Sequence, residues 1–207
     1  LPASYYVGAI AVGGMLFNII YWMFGFLRMG TGGETAQAWG RRDLDGVVLL
    51  LVRSLLLALV LALVLMALSP LVRDGALWYI APEAEVASLA RTYFNICIWG
   101  AVPALGLFAM NGWYIGMQNS RFPMIVAIGQ NLLNIACSIF FVYALGMRIE
   151  GVALGTLLAQ WVAFIIALLL CLRYYRRLWK RKSFRIPSFL LLLRQAVTPG
   201  TASNRQN

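Results

Sequence analysis

Polar side chains collect in two stretches of an otherwise apolar sequence. Gln130, Asn131, Asn134 and Ser138 follow one another in the first, and Thr156 and Gln160 lie in the second. Four-residue spacing stacks Gln130, Asn134 and Ser138 on one helix face, and Thr156 with Gln160 on another. Asn111, Tyr114 and Gln118 form a further series, with Tyr93 upstream. Such faces can line a water-filled cavity that passes a solute or an ion. They can equally hydrogen-bond between helices, typically for under about 1–2 kcal/mol per contact. The spacing fits both. Two charges, Arg28 and Glu34, stand just beyond a run of 27 uncharged residues. If a helix stops at Leu27 they are loop charges. If it continues to about Ala38, Arg28 lies within the lower membrane and needs a partner or water.

Other chemistry is excluded by residue type. Histidine is absent, which removes Ser-His-Asp and Cys-His catalysis and every His-containing metal site. Seven acidic residues are spread over the whole chain, too thinly for a carboxylate pair or a multi-ligand cation cage. No nucleophile–base pair is present, so neither an enzyme nor a metal site is expected. The glycine run Gly30–Gly33 is not followed by Lys-Ser/Thr and is no phosphate loop. Cys97, Cys137 and Cys171 each sit in an apolar stretch without CxxC spacing, and read as buried small hydrophobes.

The elements that position these residues follow from composition. Of 207 residues 62% are hydrophobic and 12% charged, and mean hydropathy is +0.80; a soluble domain is about 25% charged. An all-α integral membrane protein is expected. A span needs about 20 apolar residues, and five runs qualify. The pattern predicts a first helix from about Val7 to Leu27 or on to Ala38, and others near 47–72, 92–119, 122–146 and 151–176, with no sheet. Short breaks at Arg121 and at Arg148–Glu150 imply tight hairpins. Pro103 should bend the third span or open its hydrogen-bond ladder. Trp78 and Tyr79 read as interfacial anchors, and Pro82 with Glu83 as the first turn of a short amphipathic helix on the outer surface.

Five spans alternate the flanks between two sides. One side holds 14 basic residues and the other 3, which places the 28–53 loop and the C-terminus in the cytoplasm. The N-terminus then faces outside, which suits a chain whose preceding helix is missing. The net charge of +10 is concentrated beside the last span, and no aromatic-basic platform accompanies it. The expected partner is a lipid bilayer and not a nucleic acid.

The stretch Tyr6-Val7-Gly8-Ala9-Ile10-Ala11-Val12-Gly13-Gly14, followed by FGFLRMGTGGETAQAWGRRD (24–43), resembles the second helix of multidrug and toxic compound extrusion (MATE) transporters, most of all the DinF-like branch. NGWYIGMQNSRFPM (111–124) is similar to the end of the fourth helix and its loop. NLLNIACSIFFVYALGMRIEGVALGTLLAQW (131–161) is similar to the fifth helix, its outer loop and the sixth. The resemblance covers residues 5 to about 180, and residues 186–207 do not match it. It implies a two-lobed, twelve-helix antiporter. Cationic or amphipathic compounds leave across the inner (plasma) membrane in exchange for protons or sodium ions, with no other cofactor.

On this resemblance residues 1–180 are the N-terminal lobe bundle without its first helix, and 181–207 a basic, poorly ordered cytoplasmic tail. The partners would be the missing helix and a C-terminal lobe, and the first helix here would extend past Arg28 to about Ala38. By the same resemblance Tyr93, Asn134, Ser138 and Thr156 fall at lobe-cavity positions and line the substrate or ion pathway. The family often carries Asn-x-x-x-Asp on its fifth helix, where this sequence reads Asn134-Ile135-Ala136-Cys137-Ser138. Serine carries no titrating proton at neutral pH. Two other readings compete: a lipid-intermediate flippase or polysaccharide exporter of related fold, and a non-transporting membrane scaffold. Only Arg28 offers the flippase an intramembrane cation for a pyrophosphate head group. The repeated four-residue polar spacing argues against the scaffold.

Overall fold

The computed structural model describes residues 3–174, and every regular element among them is a helix. The boundary expected at residue 180 and the tail 181–207 lie outside the described residues. The chain divides into a compact unit, Leu1–Leu170, and a second, Cys171–Asn207.

Five spans are present among the described residues: Ser4–Gly40, Leu44–Ile80, Ala84–Gly116, Arg121–Ala144 and Ile149–Arg173. Helices α1 (Ala3–Met23) and α2 (Gly25–Gly40) form the first span, bent at Phe24. There Phe24 N–H donates to the Tyr21 carbonyl at 3.1 Å and Leu27 N–H to the Phe24 carbonyl at 3.0 Å. Both bonds reach back three residues, which tightens the turn without ending the helix. Arg28 is therefore helical, as the longer reading of this segment requires. The hairpin into α3 (Leu44–Ile80) is set by Asp43, whose carboxylate accepts from Gly46 N–H at 2.9 Å, with Asp45 in the first turn. That is an N-cap with an acidic residue at the positive end of the helix.

The connection between the second and third spans departs from expectation. α3 runs through Trp78 and Tyr79 to Ile80, and only Ala81–Glu83 separate it from α4 (Ala84–Cys97). No separate surface helix exists there. Pro70 is carried inside the helix, and beyond it nothing breaks the chain until Pro82. At about 1.5 Å per residue its 37 residues reach about 55 Å, well past a hydrocarbon core about 30 Å thick. Trp78 and Tyr79 are both exposed on its last turns. α4 continues through a 3-10 turn, Ile98–Gly100, into α5 (Ala101–Gly116). Pro103 explains that turn. Without an N–H it cannot donate to the Trp99 carbonyl four residues back, and the helix distorts one turn before it. α6 (Arg121–Ile139) ends in a π-helical turn, Phe140–Ala144, and α7 (Ile149–Tyr174) follows a short loop with Gly146 at φ 64°.

α5 is the hub. Leu105, Met110, Trp113 and Tyr114 are fully buried on it. Trp113 Nε1 donates to the Val47 carbonyl at 2.8 Å and Tyr114 Oη to the Ala167 carbonyl at 2.7 Å, so its two largest polar aromatics fasten it to α3 and α7. Against α2 it packs backbone on backbone. A Cβ on Gly116 would lie 2.7 Å from the Gly32 carbonyl oxygen, and one on Gly112 would strike the Arg28 carbonyl. Glycines four apart on one helix admit this approach, as in other membrane helix pairs. α6 contributes least to the interior, with Val126 its buried residue.

Candidate functional site: a polar seam between helices

Asn134 on α6 and Thr156 on α7 meet directly. Asn134 Nδ2 donates to Thr156 Oγ1 at 3.0 Å, and that hydroxyl donates in turn to the Val152 carbonyl at 3.0 Å. The tight loop before α7 makes the two helices antiparallel neighbours, and Gly155 lets them close. A Cβ at Gly155 would fall 2.5 Å from Ser138 Oγ. Ser138 therefore faces the α7 backbone, one turn from Asn134. Tyr93 arrives from α4, buried, with its hydroxyl within reach of Thr156 and Cys97. Its ring rests on α1, where a Cβ at Gly13 would come within 2.5 Å of it. The four residues expected along a pathway thus occupy one neighbourhood, drawn from α4, α6 and α7. Cys97 and Cys171 are buried and Cys137 is half-buried.

The seam continues one turn further. Gln130 precedes Asn134 by four residues and Gln160 follows Thr156 by four. These two, with Asn111 of α5 and Tyr21 of α1, line a cavity of about 160 Å³. Tyr21 Oη, Asn111 Oδ1, Ser138 Oγ and Gln160 Oε1 are buried with no hydrogen-bond partner among the described residues. Tyr21 approaches Gln160 closely, without the geometry of a bond. A buried oxygen left unpaired costs about 1–3 kcal/mol. Several in one seam mark a place where polar atoms are kept at the expense of stability. Spacing pointed to Gln130 and Gln160 beside the two central residues. Tyr21 has no such signal, because an aromatic residue in an uncharged run reads the same whether it faces lipid or interior.

Arg28 does not join the seam. It is exposed, on the wall of an open cavity of about 500 Å³ between α1, α2 and α5. Glu34 lies elsewhere, lining a cavity of about 180 Å³ with Thr31, Arg53 and Ser54. Thr31 Oγ1 donates to Ser54 Oγ there at 2.9 Å, in the buried contact of α2 with α3. Among the described residues no three of Cys, Asp and Glu gather in a metal-binding group.

Known proteins share the sequence and the helical bundle. The chain is 33% identical over 170 residues to DNA damage-inducible protein F of Escherichia coli (strain K12), covering 82% of this chain and 37% of that protein. It is 30% identical over 173 residues to multidrug and toxin extrusion protein 2 of Mus musculus, covering 77% of this chain and 30% of that protein. Its fold matches a solved MATE in a bent conformation with a TM-score of 0.78 at 24% identity, over 93% of this chain and 44% of the other. A multidrug resistance MATE family transporter of the MOP superfamily, solved facing outward, matches at 0.70 and 26% identity, over 81% and 38%. The chain thus spans about a third of the length of these curated relatives. The family model of MatE matches residues 1–140. This multi-pass membrane protein belongs to the MatE family.

Proposed function

We propose that the chain is most of the N-terminal lobe of a secondary active efflux antiporter. Cationic or amphipathic compounds leave the cell across the inner (plasma) membrane as protons or sodium ions enter. The carrying observation is the bond between Asn134 and Thr156, with Tyr93 in reach and Ser138 one turn away. A scaffold needs no such seam. Helices that only pack would satisfy their polar atoms, and here several buried oxygens are unpaired. Family membership supports the same reading, as do the toxin extrusion named for one relative and the multidrug resistance named for another. Neutral oxygens can ligate a sodium ion but cannot hold a proton near neutrality, so proton coupling would need a group outside this seam. The complete transporter would include a further helix and a second lobe.

The test is Asn134→Leu in the complete transporter. The amide is half-buried and its removal leaves a similar volume, so the variant should insert and fold. Resistance of cells to exported compounds should fall about tenfold, the loss that follows when a polar partner is left without its hydrogen bond. Wild-type efflux from a normally inserted variant would return Asn134 to simple helix packing.

A further inference from the structure

Toward the end at which α1 begins, the polar seam gives way to an apolar layer and then to a single polar contact. α1, α4 and α7 all run inward from that end, because one span separates each from the next. Gly13 of α1 lies against the Tyr93 ring of α4, and Thr156 of α7 is within reach of the Tyr93 hydroxyl. Seven residues earlier on α1 and α7 stand Tyr6 and Ile149. Seven residues are close to two turns, so each sits about 10 Å above the seam on the same face of its helix. Between these levels Ala9, Ile149 and Ala153 are buried in one cluster with Ala90 and Tyr93. Gly8 rests against Val86 of α4 in the same layer. The layer is dry and made mostly of methyl groups.

Arg148 closes over it. Its Nη1 donates to Tyr6 Oη at 2.6 Å, and its guanidinium lies 5.6 Å from the centre of the Tyr6 ring. The arginine is mounted on the short connection that joins the two seam helices, α6 and α7. Met147 N–H donates back to the Phe141 carbonyl at 3.1 Å, and Gly151 N–H to the Arg148 carbonyl at 3.2 Å. The next residue, Ile149, is the first of α7 and the largest side chain of the buried layer. Displacing Arg148 from α1 therefore pulls on the layer directly. Among the described residues its partner is a neutral hydroxyl and not a carboxylate. A partly exposed contact of this kind is weak, so it can break and re-form within a working cycle.

We infer that Tyr6 and Arg148 form a latch at this end of the lobe, holding the Ala9–Ile149–Ala153 layer closed over the polar seam. With the latch made, Asn134, Thr156 and Tyr93 are shut off from that side of the membrane. With it broken, the α6–α7 connection lifts from α1 and the layer parts. The latch itself is a property of the lobe. Its use in releasing a solute, on the outer side to which the basic residues assign it, rests on the efflux reading above.

Cys97 is a built-in reporter. It is buried one turn beyond Tyr93, and its Sγ lies 3.8 Å from the Ala153 carbonyl. The complete transporter, with Cys97 as its single cysteine, is placed in nanodiscs, where a charged methanethiosulfonate reaches both faces. Arg148→Gln should speed modification of Cys97 about fivefold, the factor that an exposed charged contact is worth. Tyr6→Phe keeps the ring and loses the hydroxyl, and should speed it less. Arg148→Lys keeps a cation and a donor, and should stay near the parent. The double variant Tyr6→Phe/Arg148→Gln should react no faster than Arg148→Gln alone, because the two residues share one contact. Arg148 is exposed, so its variants should keep the circular dichroism of the parent. A second protein retains Cys171 as its single cysteine, buried near the end of α7, and its rate should not change. Indifference of Cys97 to Arg148→Gln overturns the latch, and so does a parallel rise at Cys171, which is what general loosening produces. A complete transporter that shows the Cys97 pattern but exports nothing keeps the latch and loses the efflux reading.

Discussion

Ser138 lies with its hydroxyl oxygen against the backbone of Gly155, buried and without a hydrogen-bond partner. Its neighbours Asn134 and Thr156 are already committed to one another and to the Val152 carbonyl. None of these side chains titrates between about pH 5 and 8, so this seam should contribute no pH dependence of its own in that window. A carboxylate at position 138 would change that. Burial disfavours its charged form and raises its pKa from the usual value of about 4 toward neutrality. Above that raised value the group is ionised and can hold a cation; below it the group is protonated and cannot. Efflux by a Ser138→Asp transporter should therefore acquire a pH dependence between about pH 5 and 7 that the parent lacks, measured in proteoliposomes at fixed sodium. Identical pH profiles for the two proteins would show that position 138 does not face the coupling path. Much of this site is legible in the sequence, because residues four apart on neighbouring helices meet when a short loop makes those helices antiparallel. Tyr21 and Asn111 are less legible. Their meeting with Gln130 and Gln160 depends on how α1 and α5 rotate against α6 and α7, and no local spacing encodes that rotation.

At the scale of elements, small residues decide which helices touch. α7 carries Gly151, Gly155, Ala159, Ala163 and Ala167 at every fourth position, all buried. α3 repeats the pattern with Ser54, Ala58 and Ala62. The closest approach is between α2 and α5, where Gly112 meets the Arg28 carbonyl and Gly116 meets the carbonyl of Gly32 and the Thr35 side chain. Backbone cannot yield as a flexible side chain can, so Gly116→Val should force the helices apart. Overpacking of this kind costs about 1–3 kcal/mol. Thermal unfolding in detergent, followed by circular dichroism, should show a lowered midpoint for Gly116→Val. Gly33→Ala, where nothing lies within 4 Å, should be neutral or slightly stabilising, since alanine favours helix over glycine by about 1 kcal/mol. Equal midpoints for the two variants would refute the close packing. Hydropathy located all five spans, but it ended the second at 72, where the helix runs to Ile80, and began the third at 92, where the helix starts at Ala84. α3 continues past Pro70 through Arg73 and Asp74, which read as loop residues. Arg73 donates to Asp74 at 2.9 Å and to Asn95 of α4 at 2.6 Å, so the charges are satisfied along a continuing helix. A hydropathy profile registers charge but not its partner.

Across the whole molecule, basic residues divide 14 to 3 between the two sides of the membrane. The three on the minority side are all engaged. Arg73 and Arg91 lie 2.9 and 3.8 Å from Asp74. Arg148 donates to Tyr6 Oη at 2.6 Å, and its guanidinium is 5.6 Å from the centre of that ring. Partly exposed pairs of this sort add little stability, about 0–1 kcal/mol. Their number is small enough that the majority side sets the orientation, because lysine and arginine near span ends resist translocation and acidic residues contribute little. The Ala81–Glu83 connection should then be extracellular, and the α2–α3 hairpin at Arg41–Arg42, with the tail beyond α7, cytoplasmic. Single cysteines test this in the complete transporter, with Cys97, Cys137 and Cys171 replaced by alanine to remove background. A cysteine at Ala84 should react in intact cells with a charged, impermeant maleimide. One at Arg42, exposed in the hairpin, and one at Lys182 should react only with a permeant maleimide or after the membrane is opened. Labelling of Arg42→Cys but not Ala84→Cys by the impermeant reagent would invert the protein in the membrane. The polar seam would then lie nearer the cytoplasm than the cell exterior, and the direction of efflux assigned to it would have to be argued afresh.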